Sequence, residues 1–434
     1  MKALLNKVKS SSLVTGAGIY FGTSVINALI PFLLLPVLTR YLEPQEYGEV
    51  AIFFVWVSLI GAVCGLSVHG AAGRKFYDLD NADEQMGEFI TSCLVLLIGS
   101  TLVLLVIVVP ISSSISVWLG LSEKWILVGI LFAFCNFLIN LRMGQWQVRK
   151  QPFHYGALQI SRSLLDFSIS IVLVVVLTLG VTGRIGGMTL TAVLTSILAI
   201  FLLYRDRLIK KTWRTEYIRE AASFGIPLIP HILGSFLLLT FDRAIIGSVL
   251  GLDAAGYYVV AVQIAGIMTV MVDSVNRAYV PWLFERLKRN NLVEKIMVVK
   301  ITYVYFFLLL LIAVIGFIVS GPFLILVAGS EYSPAADIVP WLVLGQSFNG
   351  FYLMVTNYVF YSKKTKYLAL ITILTGVLNV ILVLTLIGSF GAVGAAYAIC
   401  ISMLVQFAVT FFVANKFVPM PWAVSAKDLL KLRI

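Results

Sequence analysis

Apolar residues run through this chain in long blocks separated by short polar stretches. A helix needs about 20 mostly apolar residues to cross the hydrocarbon core of a bilayer, and these blocks are repeatedly that long. Twelve spans can be drawn. The first half gives Leu13–Leu38, Tyr47–Val68, Phe89–Val109, Trp125–Leu141, Ala157–Leu179 and Gly187–Tyr204. The second half gives Phe224–Leu250, Gly256–Asn276, Ile301–Ser320, Ile338–Tyr361, Tyr367–Ile387 and Gly391–Val413. The fourth and sixth are short, and the ninth apolar run continues past Gly321-Pro322. The start, MKALLNKVKSSSLVTGAGIYFG, is basic and then apolar like a signal peptide. Its apolar stretch continues to Leu38 with no small-residue cleavage site, so it reads as an uncleaved first helix. The pattern predicts an all-α polytopic membrane protein.

A basic stretch, RDRLIKKTWRTEYIRE (Arg205 to Glu220), divides the chain near its middle. An internal repeat agrees with that midpoint. YLEPQEYGEV (Tyr41–Val50) matches VLGLDAAGYY (Val249–Tyr258) in its Leu and Gly, with Gly48 over Gly256 at an offset of 208 residues. The same offset recurs between GRIG (Gly183–Gly186) and GAVG (Gly391–Gly394). The expected layout is an N-terminal six-helix lobe over 1–208, a basic cytoplasmic connection over 209–222, a C-terminal six-helix lobe over 223–415 and a cytoplasmic tail over 416–434. Six spans per half leave both halves in the same orientation, so the repeat is parallel. Transporters of this kind bind substrate between their halves and rock them.

Composition supports the membrane reading. Of 434 residues, 60% are hydrophobic and 12% charged, which is about half the charged share of a soluble protein. The net charge of +11 raises nucleic acid as a partner, but its distribution answers otherwise. On the N-terminal side of the spans fall 28 of the 32 Lys and Arg, counting Arg162 near the start of the fifth. The other side has Arg40, Lys124 and Arg184, and Arg243 lies inside a span. Positive charge collects in cytoplasmic loops, so both termini are expected in the cytoplasm, with no nucleic-acid partner. The central basic loop reads as an ordinary inside loop, with contact to anionic membrane lipids as its second reading.

Chemistry for an enzyme is sparse. Cys64, Cys93, Cys135 and Cys400 lie in apolar runs at unrelated spacings, which suits small core residues rather than disulfides or a zinc site. The three His are scattered, and no Gly-rich loop ends in Lys-Ser/Thr to cradle a nucleotide phosphate. Asp78-Leu79-Asp80 resembles the metal-binding pair of many glycosyltransferases, yet no nucleotide-sugar domain surrounds it. No cofactor is expected beyond a coupling ion, H+ or Na+, with Asp166, Asp242 or Asp273 as candidate proton carriers.

The informative feature is polar residues at helical spacing within the spans. Gln159, Arg162, Asp166 and Ser170 form one stripe in the fifth. Asn136 and Asn140 share a face of the fourth, and His231, Ser235 and Asp242 one of the seventh. The eighth ends with Asp273, Asn276 and Arg277; the tenth aligns Gln346, Asn349 and Asn357; the eleventh aligns Thr372, Thr375 and Asn379. Such stripes face a bundle interior or a wet cavity rather than lipid. Each alone fits plain hydrogen bonding between helices, and Arg162 has Asp166 one turn away. Together they predict a polar central cavity.

Asp242 and Arg243 are the sharpest case, an acid and a base side by side within LLLTFDRAIIGSVL. On a continuous helix adjacent residues point roughly 100° apart, so each is expected to need a separate partner. Two readings stand. One is an interhelical salt bridge; the other has Arg243 meeting an anionic substrate while Asp242 orients it. Proline also marks the lead helix of each half, at Pro31 and Pro36 and at Pro227 and Pro230, which suits those helices to bending.

Three stretches carry a family likeness. FLLLPVLTRYLEPQEYGEVAIF, FGIPLIPHILGSFLLLTFDRAIIGSVLGLDAAGYYVVA and GAVGAAYAICIS resemble the first, seventh-to-eighth and twelfth helices of bacterial polysaccharide flippases. These are the Wzx type within the multidrug/oligosaccharidyl-lipid/polysaccharide exporter superfamily. The resemblance implies a MATE-like fold of twelve helices in two parallel six-helix lobes, in the bacterial inner membrane. It implies no enzyme but a flippase that moves an undecaprenyl-diphosphate-linked oligosaccharide, such as an O-antigen unit of lipopolysaccharide, to the outer leaflet. Its partners would be that lipid-linked substrate, membrane lipids and other polysaccharide-assembly proteins. Arg243 and Asp242 lead the site candidates. Arg40, Arg142, Arg162, Asp166, His231, Asp273, Arg277, Asn136, Asn140, Gln159, Gln346 and Asn349 complete them. With the cytoplasm negative, expelling charge is favoured by ~2.3 kcal/mol per elementary charge per 100 mV, which supplies drive without ATP. The rivals are a MATE-like multidrug antiporter, a membrane-bound polymerase or ligase, and a non-transporting scaffold.

Overall fold

The computed structural model describes residues 12–78, 82–362 and 364–423. Leu79 and Asp80 of the acidic pair, and residues 424–434 of the expected tail, lie outside them. Among the described residues every regular element is helical. Helices α1 to α5 are Ser12–Leu38, Pro44–Gly61, Val68–Asp78, Ala82–Leu119 and Glu123–Val148. Helices α6 to α10 are Pro152–Ser170, Gly180–Arg205, Thr215–Gly225, Ile229–Leu239 and Asp242–Leu250. Helices α11 to α14 are Leu252–Arg289, Leu292–Ala328, Val339–Tyr361 and Thr365–Phe417. All-helical structure follows from the solvent, since backbone groups within lipid must find their hydrogen bonds inside the chain.

Eight helices among the described residues are long and apolar enough to cross a membrane, or up to ten when each of two bent pairs counts as one span. Eleven of the twelve drawn spans fall on these helices, with three departures; the first falls on α1, of which, among the described residues, only Leu29–Leu38 stands out, as a shorter apolar helix. The second span bends by 59° between Pro44–Gly61 and Cys64–Asp78. Gly65, Leu66 and Ser67 are left-handed there, at a cost of about 1–2 kcal/mol for each non-glycine residue. The freed Gly65 N–H donates to Ser100 Oγ at 3.0 Å. The seventh span, drawn as one piece from Phe224 to Leu250, is interrupted at Thr240 and Phe241 between α9 and α10. The eleventh and twelfth are the two arms of the 53-residue α14, joined at Gly391 with φ 57° and ψ −146°, a conformation open essentially to glycine alone.

The chain divides into two compact units, Met1–Leu233 with Gly247–Gly256 and Gly234–Ile246 with Tyr257–Ile434. In the first, α5 packs against α2, α3, α4, α6 and α7, and the Trp56 indole of α2 donates to its Ile126 carbonyl at 2.8 Å. Pro44 opens α2, where it needs no N–H. Glu46 closes the turn by accepting from the Glu43 amide at 3.2 Å, and from the Val181 amide of α7 at 3.1 Å. In the second unit α13 lies between α12 and α14 and packs on both.

The two glycines paired by the repeat meet in space. A Cβ on Gly48 would lie 1.9 Å from the Leu252 carbonyl oxygen, and one on Gly256 would lie 2.0 Å from that of Pro44. Neither space can be opened without moving backbone. Gly48→Ala is therefore expected to destabilise the protein by about 1–3 kcal/mol through overpacking, although alanine favours an isolated helix. Gly61→Ala, which meets open space at the end of the same helix, should change stability by less than about 1 kcal/mol. Thermal denaturation followed by size-exclusion chromatography in detergent compares the two.

Candidate functional site

In the first unit the polar stripes of the fourth and fifth spans meet. Arg162 of α6 donates to Asn136 Oδ1 of α5 at 2.5 Å, and the Asn136 amide donates to the Phe132 carbonyl at 2.7 Å. Asp166, one turn along from Arg162, does not take that cation. It pairs with Arg184 of α7, whose Nη1 lies 3.1 Å from both carboxylate oxygens, and Arg184 also donates to Ser170 Oγ. Immediately after Ser170 the helix widens into a π-helical turn, Ile171–Val176. Arg184 escaped the sequence reading because a lone base within GRIGG looks like a loop; α7 starts at Gly180, seven residues before the drawn sixth span.

Two guanidinium groups and one carboxylate leave this cluster with an excess positive charge. Among the described residues Arg162 has no ion-pair partner, and its acceptor is a neutral amide. Gln159, one turn before it, keeps a buried Oε1 with no hydrogen-bond partner. Arg142 is different. It is fully buried, pairs with Asp206 at the end of α7, and lies 4.1 Å from the Trp146 ring. It fastens α5 to the end of α7. Asn140 and Arg40 are exposed.

In the second unit the interruption of the seventh span corrects the reading of Asp242 and Arg243. They were expected to diverge on a continuous helix. Asp242 instead begins α10, and its carboxylate lies 3.6 Å from the Arg243 guanidinium. Asp242 also accepts from the Arg243 amide at 2.9 Å and from the buried Tyr258 hydroxyl of α11 at 2.6 Å. Arg243 Nη1 donates to the Leu239 carbonyl at 2.5 Å. Asn379 of α14 donates to the Leu237 and Leu238 carbonyls at 3.4 and 3.3 Å, and Ser402 holds Asn379 at 3.4 Å. The carbonyls freed where α9 ends thus receive donors from two side chains, and Arg243 is one of them.

Among the other polar contacts in this unit, one joins two helices and another stays within α13. Asn357 of α13 donates to Asn276 of α11 at 2.8 Å, and Asn349 to Gln346 at 3.3 Å. Asp273 is half-buried, and its carboxylate makes no hydrogen bond or ion pair among the described residues. Arg277 and His231 are exposed, and each has a partner.

Comparison with known proteins places the chain in a family context. The sequence pattern described as "Polysaccharide biosynthesis protein" matches residues 13–287. The chain is 25% identical over 370 residues to Lsg locus putative protein 1 of Haemophilus influenzae, covering 83% of this chain and 88% of that protein. An uncharacterised membrane protein of the same organism is 26% identical over 380 residues, covering 84% and 88%. The fold superposes on the lipid II flippase MurJ in an inward closed conformation, with TM-score 0.76 at 15% identity over 96% of this chain and 89% of that one. It also superposes on an inward-facing multidrug MATE transporter of the MOP superfamily, with TM-score 0.71 at 15% identity over 94% and 96%.

The brace around Asp242 makes a stability prediction. Tyr258→Phe and Arg243→Ala should each lower stability in detergent by about 1–3 kcal/mol, the usual cost of leaving a buried polar group unpaired. Because both hold one carboxylate, the double variant should depart from additivity. A double-mutant cycle on thermal midpoints reads this.

Proposed function

Because this chain belongs to the polysaccharide biosynthesis protein family, we propose that it is a flippase for an undecaprenyl-diphosphate-linked oligosaccharide, an O-antigen or related repeat unit. It works in the bacterial inner membrane with both termini in the cytoplasm. Two parallel six-helix halves carry the headgroup from the inner to the outer leaflet by alternating access. The fold it shares is that of a flippase and of a multidrug transporter, which sets the polymerase or ligase reading aside.

One observation carries the substrate assignment. Arg162 sits inside a membrane span with a neutral acceptor and no ion pair among the described residues. A permanent cation held there gains most from an anion that arrives with the substrate, and a diphosphate is such an anion. Gln159 and Asn136 flank it with amides suited to sugar hydroxyls or phosphate oxygens. An antiporter for cationic drugs would call for the opposite excess of charge. Arg243, committed to Leu239 and Asp242, is the weaker substrate contact of the two.

A strain lacking the protein and any paralogue should accumulate lipid-linked repeat units on the cytoplasmic leaflet, shielded from impermeant reagents. Normal surface polysaccharide in that strain would overturn the proposal. Arg162→Gln, which preserves a hydrogen bond to Asn136, should slow translocation by roughly tenfold or more, since a hydrogen bond to a charged group is worth about 1.5–3 kcal/mol. Membrane abundance of the variant should match wild type. Full complementation would remove Arg162 from the site.

A further inference from the structure

At one end of the second unit, where α12 gives way to α13 and where the two arms of α14 join, lies a cavity of about 590 Å³. Its lining includes Phe317, Ser320, Asp337, Trp341, Phe390 and Tyr397. The volume falls within the roughly 300–1,000 Å³ typical of small-molecule pockets. The rings form a chain. Phe317 and Trp341 stand edge to face with centroids 5.1 Å apart, Trp341 and Tyr397 at 4.6 Å, and Tyr397 and Phe390 at 5.4 Å. The break at Gly391 is what brings the last pair together, because seven residues along a straight helix would separate them by ~10 Å. Asp337 ends the short 3-10 helix Ser330–Asp337 and is exposed beside these rings. Its carboxylate and the Tyr397 hydroxyl make no hydrogen bond among the described residues.

We infer that this groove is a saccharide subsite, taking a neutral pyranose of the lipid-linked repeat unit after it has crossed. The inference rests on the polysaccharide reading above and adds a second contact to it. A pyranose has an apolar face of C–H bonds that stacks on aromatic rings, and a rim of hydroxyls that a carboxylate can accept in pairs. Trp341 and Tyr397 supply the rings; Asp337, Ser320 and the Tyr397 hydroxyl supply the polar partners. The arrangement disfavours the other ligand such residues attract. A cage for an ammonium ion needs ring faces converging on one point, whereas a chain of edge-to-face contacts lines a strip.

Charge fixes which part of the substrate fits. Residues 318–340 and 384–396 contain no Lys or Arg but include Glu331 and Asp337. The opposite ends of the same helices carry Lys295, Lys300, Lys364, Lys366 and Lys416. By the distribution of positive charge the groove faces outward, and its one lining acid, Asp337, repels the diphosphate while leaving neutral sugars free to bind.

The test uses the full chain in nanodiscs with four probes: the methyl glycosides of mannose, glucose, rhamnose and N-acetylglucosamine. Saturation-transfer NMR is expected to show contact to the ring C–H protons of at least one of them. Trp341→Leu should weaken that contact roughly tenfold, the scale of a lost aromatic pair, and Asp337→Asn should weaken it with the rings intact. Tyr397→Phe, which removes only a hydroxyl, guards against loss by misfolding and should retain part of the signal. Contact to none of the four glycosides, equal contact in Trp341→Leu, or contact to choline in their place would overturn the inference. In cells, Trp341→Leu should slow export at unchanged abundance. Lost glycoside contact with unaltered export would refute the link to the lipid-linked unit. Translocation by wild type without glycoside contact sinks the groove alone, and contact without translocation sinks the flippase reading alone.

Discussion

A peptide carbonyl inside hydrocarbon has no water to accept from, and much of this structure follows from that. Unbroken helices meet the requirement internally. The interrupted seventh span cannot, because α9 ends at Leu239 within the apolar stretch and its last carbonyls lose their helical partners. The chain answers with Asn379 on Leu237 and Leu238 and with the Arg243 guanidinium on Leu239. Arginine placed so needs a counter-charge, and Asp242 provides it, held by the Tyr258 hydroxyl. An acid and a base in mid-span are thus the conditions for breaking a helix there.

The two units treat charge differently. In the second, the buried Asp242 is neutralised by the base beside it. In the first, Asp166 makes its ion pair with Arg184, while Arg162 donates to Asn136 and feels that carboxylate only from beyond ion-pair distance. A balanced pair is a fixture; an unbalanced cation inside a membrane costs free energy until an anion arrives. That asymmetry directs the functional reading toward the first unit. It also explains why Arg142, almost wholly buried but paired with Asp206, reads as a fastener.

Most helices were legible in the hydropathy alone, because lipid allows a spanning segment few alternatives to a helix. The stripes were legible for a related reason: polar side chains recurring at the helical period must share a face. What stayed hidden were breaks and partners. Thr240 and Phe241 carry no local mark of an interruption, and the side chain that tolerates it, Asn379, is 142 residues from Leu237. Arg184 looked like a loop residue because glycines surround it, and so the ion pair went to the wrong base. Gly391 was noticed through the repeat, yet its backbone conformation becomes evident only once the two arms are seen to share one helix.

The bend after Gly61 bears on how the protein is made. Beyond it α3, VHGAAGRKFYD, has 11 residues and includes an Arg and a Lys, too short and too polar to partition into lipid as a unit. It is held by packing on α4, α5 and α8, all of which leave the ribosome after it. This arm must therefore linger at the membrane surface during synthesis, taking its seat only when the later helices arrive to receive it.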